Sequence, residues 1–452
     1  MSSIKRGWGR LSPALLALLV VLGLPLAARA QTAPARGGRT LSARLENGLE
    51  VVLSEAREQP TFSLALRYHV GESSNPKELS ELAHLVEHLS FVFSKHVPGT
   101  EDQLLEEAGV DSNAYTGIDA TTYVSRGNVG ALQRVLWLER QRMAFALQTL
   151  SVQRVELERR TLDNERLSMR VDDEAGLYWD FVSAALYPPE HPYAPRPERG
   201  CMLHCTLQHA QWLMQGGYRP GNARLVIVGD FDATTTLAQV RHLFGPIRNP
   251  GVTLPAPPRL PARAGFRHIA IAAPVERPSL QLLWLLPDAL RSRRSEFQVF
   301  NAQLGTILNR DLALFDGLAT GVSAQVAELD LGWQWSIDVS LLPGVDTKLV
   351  EQRILARLAE LRRQLPSIEG ARYNALTALL ERWELPDARS TLLLREGGFG
   401  LTRDKAVAAL QGVTQDGVAR LLRDLPEHPS LSVSLRRAVD APKRGELYRE
   451  AE

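Results

Sequence analysis

Residues 84–88 read His84-Leu85-Val86-Glu87-His88. On a helix, two histidines four apart lie one turn from each other, so both imidazoles can face one ion. Glu87 stands three residues after His84 and next to His88, within reach of a water on that ion. Neutral nitrogen ligands, an open coordination position and a carboxylate base are what a hydrolytic zinc site requires. The spacing reverses the more familiar zinc-hydrolase signature. Taken alone, the same five residues also fit a surface helix with two unrelated histidines.

A third protein donor is needed. Residues 151–170 (SVQRVELERRTLDNERLSMR) read as a helix, with Glu158 and Glu165 seven apart and two turns along one face. Glu165 follows His88 by 77 residues. By itself an acidic, Arg-rich helix equally describes a solvated, ion-paired face.

Several blocks extend the pattern. Asn47-Gly48-Leu49-Glu50-Val51-Val52-Leu53 precedes Gly71-Glu72 and the run Leu82 to Phe91. Pro98-Gly99-Thr100, Ala108 to Thr116 and Asp119-Ala120-Thr121-Thr122-Tyr123 follow it. His191-Pro192-Tyr193 and Tyr218 to Ala223 lead into Leu225-Val226-Ile227-Val228-Gly229-Asp230. In this order the blocks resemble the pitrilysin/insulinase family of zinc peptidases, in its small, two-domain, processing-peptidase-like branch. The resemblance runs over about residues 40–435, strongest in the first half.

The resemblance implies one Zn2+ per chain held by His84, His88 and Glu165, with Glu87 as general base and Glu158 behind a ligand imidazole. It implies that unfolded or extended peptides add as a strand to a sheet edge around Asn113–Thr116, with Asn113 a substrate contact. Asn309-Arg310-Asp311-Leu312 resembles a second-domain segment whose Arg helps to hold substrate. Where that segment's Tyr is expected the residue is Thr320. A homodimer or a heterodimer with a related subunit is also implied. The departure at Thr320 supports an alternative, in which the chain is a non-catalytic or half-site member acting only with a sister subunit. Among solved folds the resemblance implies the α+β, LuxS/processing-peptidase-like type.

These residues need elements to position them. Apolar periodicity predicts strands at 50–53, 62–68, 121–126 and 223–229, and helices over 79–93, 101–108, 129–149, 151–170 and 232–244. Residues 245–262 (GPIRNPGVTLPAPPRLPA) are rich in Pro and Gly and read as a linker. The second half repeats the order of the first. Strands are expected at 267–273, 279–286, 321–328, 332–341 and 430–435, with helices over 293–310, 346–364, 368–383, 387–397 and 414–424. A repeated element order suggests two structurally repeated mixed domains, 40–244 and 263–436, of α+β class. Residues 437–452 are charged and read as a loose tail.

The N-terminus reads as a signal peptide, residues 1–30. Lys5, Arg6 and Arg10 precede an apolar run from Leu11 to Ala27, and Ala28-Arg29-Ala30 fits a cleavage site. Residues 31–39 then read as a disordered lead-in. A periplasmic or secreted protein with no membrane span after cleavage is expected. Losing residues 1–30 takes the formal net charge from +1 to −3. That near-neutral balance suggests no nucleic acid as a partner. Cys201 and Cys205 fit a small disulfide loop or two free thiols, and less well a metal site with His204 or His209.

Overall fold

A computed structural model describes residues 38–91, 96, 101–172, 174–196, 200–273, 275, 277–395, 397–437 and 448–450. The expected signal peptide lies outside them, as does the lead-in up to residue 37. No helix among the described residues is long and apolar enough to cross a membrane.

The first half begins with strands β1 (Thr40–Arg44), β2 (Glu50–Glu55) and β3 (Thr61–Tyr68). Helices α1 (Leu82–Phe91) and α2 (Glu101–Glu107) lead to strands β4 (Asp111–Thr116) and β5 (Thr121–Asn128). Five helices follow: α3 (Leu132–Phe145), α4 (Val152–Asp172), α5 (Glu174–Leu186), α6 (Gly200–His204) and α7 (Leu207–Gly217). Strand β6 (Ala223–Gly229) and helix α8 (Ala233–Phe244) close the half. The Pro-rich stretch 245–262 carries neither helix nor strand.

The second half repeats the plan with β7 (Arg267–Ala273), β8 (Ser279–Leu285), α9 (Arg294–Leu308), β9 (Ala319–Ala327) and β10 (Gln334–Leu341). Helices α10 (Thr347–Arg363), α11 (Glu369–Glu384), α12 (Pro386–Leu394), α13 (Arg403–Gln411) and α14 (Gln415–Asp424) precede β11 (Leu431–Arg437) and β12 (Tyr448–Glu450). The strand orders are β1-β2-β6-β3-β5-β4 and β12-β7-β11-β8-β10-β9. Each sheet has one parallel pair, β2 with β6 and β7 with β11, at the same place in the order. The expected α+β repeat is thus present in five of the six strand positions, and the first position is filled by β1 from the start of its half and by β12 from the end of the chain.

Burial in the strands alternates between two cores. In β2, Val51 and Leu53 face the core built with α1, α3, α7 and α8, whereas Val52 faces the opposite way. Leu225 and Ile227 of β6 join the first core, and Val226 and Val228 join the second. This period of two, with both faces covered, is why β6 is buried along its whole length.

The halves exchange helices to achieve that cover. Helix α12 of the second half packs on β3 and β6 of the first. Its buried Arg389 donates to the Glu55 carbonyl at 2.9 Å, and Ser390 Oγ lies 3.1 Å from Ser63 Oγ. In return, Val182, Ala185 and Leu186 of α5 pack against Ile269 and Ile271 of β7 and Leu431 and Val433 of β11. Cutting at the linker would therefore uncover one face of each sheet. The other differences from expectation are local. Helices α5, α6, α7 and α13 and strand β1 were not anticipated. Residues 448–450, expected in a loose tail, pair antiparallel with β7.

Asp119 fixes the β4–β5 turn to both halves. Its Oδ1 accepts from Ser73 Oγ at 3.0 Å, and its Oδ2 accepts from Tyr193 OH at 2.7 Å and from the Asp330 N–H at 3.0 Å. Tyr193 OH in turn accepts from the Leu331 N–H at 2.8 Å. The edge strand β4 is thereby held at one end by residues far apart in sequence.

Candidate metal centre

Helix α1 starts at Leu82, later than the 79–93 range expected, because residues 79–81 form the turn that enters it. It buries Leu82, Ala83, Leu85, Val86 and Leu89 in the first core. His84 and His88 therefore share the opposite face, with ring centroids 4.9 Å apart. Helix α4 packs against α1 and brings Glu165 to them. One donor atom from each of His84, His88 and Glu165 lies within 4.8 Å of the others. His88 Nε2 is 3.3 Å from Glu165 Oε2, and His88 Nδ1 is 3.6 Å from Glu158 Oε2. Glu158 is buried, while Glu165 is partly open to solvent.

Two imidazole nitrogens and one carboxylate oxygen are a donor set that fits Zn2+. The carboxylates behind the rings match the usual support of metal-bound histidine. His84 Nδ1 lies 2.9 Å from Glu81 Oε2 and donates to it. Burial opposes protonation of His84, yet the Glu81 carboxylate, with Glu87 and Glu72 nearby, raises its pKa above the ordinary value. In the metal-free protein a proton thus competes for this ring, as it does for any such ligand. Burial also pushes the Glu72 carboxyl up to about 7, helped by the Glu81 charge.

Glu87 is buried, and its Oε2 accepts a 2.6 Å hydrogen bond from Thr116 Oγ1. Thr116 ends β4, whose other long edge pairs with no strand among the described residues. Along β4 exposure alternates: Asp111, Asn113 and Tyr115 are exposed, and Ser112, Ala114 and Thr116 turn inward. Asn113 Oδ1 accepts from the neighbouring Ala114 N–H at 2.8 Å. The candidate base is therefore wired to the strand on which a peptide could pair. Thr116→Val removes the donor and keeps the shape. We expect kcat to fall about tenfold with zinc affinity unchanged, the order of one charge-assisted hydrogen bond. Unchanged kcat in steady-state assays would show that the contact does not position Glu87.

The second-half residues make local contacts of their own. Arg310 lies in a π-helical turn, is half exposed and bonds Asp311 at 2.9 Å. Among the described residues it makes no hydrogen bond or ion pair with the histidine–glutamate cluster. Thr320 Oγ1 donates to the Ser340 carbonyl at 3.3 Å. Cys201 and Cys205 are disulfide-bonded to each other, which sets aside the free-thiol and metal-site alternatives for this pair.

Sequence reasoning missed Glu81 and Thr116. Glu81 carried a weak signal, being three residues before His84 within the helix expected over 79–93. Thr116 carried none, because its partner is 29 residues away.

The helix with His84 and His88, the distal helix with Glu165 and the repeated sheets form a two-part α+β scaffold around one candidate metal cluster. Residues 50–187 match the family model described as Insulinase (Peptidase family M16), and residues 206–371 match the Peptidase M16 inactive domain. The chain belongs to the insulinase family. It is 28% identical over 404 residues to the Coenzyme PQQ synthesis protein F of Pseudomonas aeruginosa, covering 84% of this chain and 49% of that one. It is 28% identical over 215 residues to the Zinc protease PqqE of Helicobacter pylori, covering 46% of this chain and 47% of that one. The chain thus spans about half the length of these curated relatives. Among solved structures, a protease from Helicobacter pylori aligns with TM-score 0.74 at 19% identity, over 88% of this chain and all of that one. The periplasmic protease PqqL from Escherichia coli aligns with TM-score 0.71 at 17% identity, over 88% of this chain and 48% of that one. At these identities the structural matches speak for the fold alone.

Proposed function

We propose that this chain is an exported zinc-dependent endopeptidase that hydrolyses unfolded or extended peptides. The observation that carries the reading is the convergence of His84, His88 and Glu165, with Glu87 buried between that cluster and an open sheet edge. His84, His88 and Glu165 would hold one Zn2+. When bound, zinc supplies a Lewis acid that polarises a peptide carbonyl and acidifies a water. Glu87 takes the proton of the attacking water and passes it to the leaving amine. Glu158 holds the His88 ring in its working orientation. The free edge of β4 pairs with the peptide backbone, and Asn113 contacts it from the exposed face. Backbone pairing of this kind selects extended chains over folded ones. Arg310 contributes to substrate holding from the second half. The signal-like residues 1–30 support a periplasmic or secreted site of action.

A second reading has its own support. The chain spans about half the length of the relatives above, and Thr320 stands where a Tyr is expected. On this reading the chain works only as one half of a dimer with a second copy or a related subunit. Chelator-stripped protein, restored with zinc and assayed on a quenched peptide library, tests both. Loss of turnover on stripping and recovery with one equivalent of zinc is the expected result. Zinc binding without turnover until a related subunit is added selects the half-site reading. A protein that binds no zinc would refute both.

A further inference from the structure

Among the described residues, Glu81 is the non-glycine residue with a left-handed backbone, at φ +67°. A β-carbon in that region crowds the adjoining carbonyl, so the chain holds this conformation against its own preference. Its surroundings hold it there. The Glu81 N–H donates to Glu72 Oε2 at 3.1 Å, and its carbonyl accepts from the Leu85 N–H at 2.8 Å, opening the α1 hydrogen-bond ladder. Glu72 Oε2 also accepts from Asn75 Nδ2 at 2.9 Å, and Asn75 Oδ1 accepts from the Ala83 N–H at 3.0 Å. The turn 72–81 thus caps the start of α1. It also aims the side chain of its strained residue at His84 Nδ1, 2.9 Å away.

Glycine would take this φ without strain, but it has no carboxylate. The two candidate ligand rings are supported from different places. His88 has Glu158 of α4 near its Nδ1, whereas His84 has the residue that begins its own helix. We propose that Glu81 is a positioning residue of the metal centre: its carboxylate holds the Nδ1–H of His84, leaving Nε2 as the free nitrogen, and the strained backbone is the means of placing it. This rests on the zinc reading above. Such support is worth about 10–100-fold in metal affinity.

The test compares purified parent protein with Glu81→Gly, Glu81→Gln and Glu81→Met. Zinc affinity is read by chelator competition, and the melting temperature is read on the metal-free forms. Glu81→Gly should melt no lower than the parent, because the strain is relieved, yet bind zinc about 10–100-fold more weakly. Glu81→Gln keeps an acceptor oxygen and should retain most of the affinity. Glu81→Met keeps bulk and strain without the acceptor and should bind as weakly as Glu81→Gly. Parent-like affinity in folded Glu81→Gly or Glu81→Met overturns the proposal and leaves the zinc site standing. Absence of zinc binding by the parent overturns both together.

Discussion

Glu87→Gln is expected to lower kcat by about 10²–10⁴-fold while zinc stays bound with near-parent affinity. The amide keeps the size of the carboxylate, and its oxygen can still accept from Thr116 Oγ1. The three proposed metal donors are unchanged by the substitution. What the amide cannot do is take a proton from water at neutral pH. The expected loss corresponds to about 3–5 kcal/mol of transition-state stabilisation. It should fall on kcat, because a base acts in the transition state rather than in peptide binding. The measurement is turnover of quenched peptides by parent and variant at equal zinc content. A variant retaining near-parent turnover would remove Glu87 from the mechanism and leave the cluster as a binding site only.

The parts of this site that could be read in the sequence are those set by local periodicity. His84 and His88 share a face because a helix repeats every 3.6 residues, and Glu158 and Glu165 do so two turns apart. That the two helices meet is a tertiary fact, which periodicity does not contain. Glu81 and Thr116 were overlooked for a related reason. A glutamate before a helix looks like ordinary first-turn acid, and only the backbone angle shows that it is constrained. Alternating apolar residues marked most of the strands, but the order in which they pair and the exchange of α5 and α12 are tertiary facts. α12 buries Arg389 and Ser390 beside Leu392, Leu393 and Leu394, and nothing local in either helix says whose sheet it covers. The Pro-rich stretch 245–262 carries neither helix nor strand, as its composition suggested. It is a poor guide to where the cores divide, because residues before and after it share them.

The helix that carries His84 and His88 also depends on a buried charge cluster, and Arg142→Met is expected to destabilise the protein by about 3–5 kcal/mol. Arg142 on α3 is almost wholly buried, and its guanidinium is shared by two carboxylates. It pairs with Glu101 at the start of α2 and with Glu139 Oε2 at 3.0 Å. Nη1 donates to the Ser90 carbonyl at 2.8 Å, in the last turn of α1. The guanidinium also lies over the Tyr123 ring, 4.0 Å from its centroid. Burial alone would lower the pKa of Arg142, but the two carboxylates more than offset this and raise it well above the ordinary value. Methionine fills much of the same volume and leaves Glu101 and Glu139 buried without their shared cation. The cost therefore comes from stripped charge more than from lost packing. Urea unfolding of the metal-free protein should show the loss as a lower midpoint. Adding Glu101→Gln and Glu139→Gln to Arg142→Met should recover part of it, because the uncompensated charges are gone. A triple variant no more stable than Arg142→Met would instead assign the cost to packing around Tyr123 and Ser90. Because Ser90 lies in the last turn of the helix that carries His84 and His88, the single variant should also lose zinc affinity, and the triple variant should regain some of it.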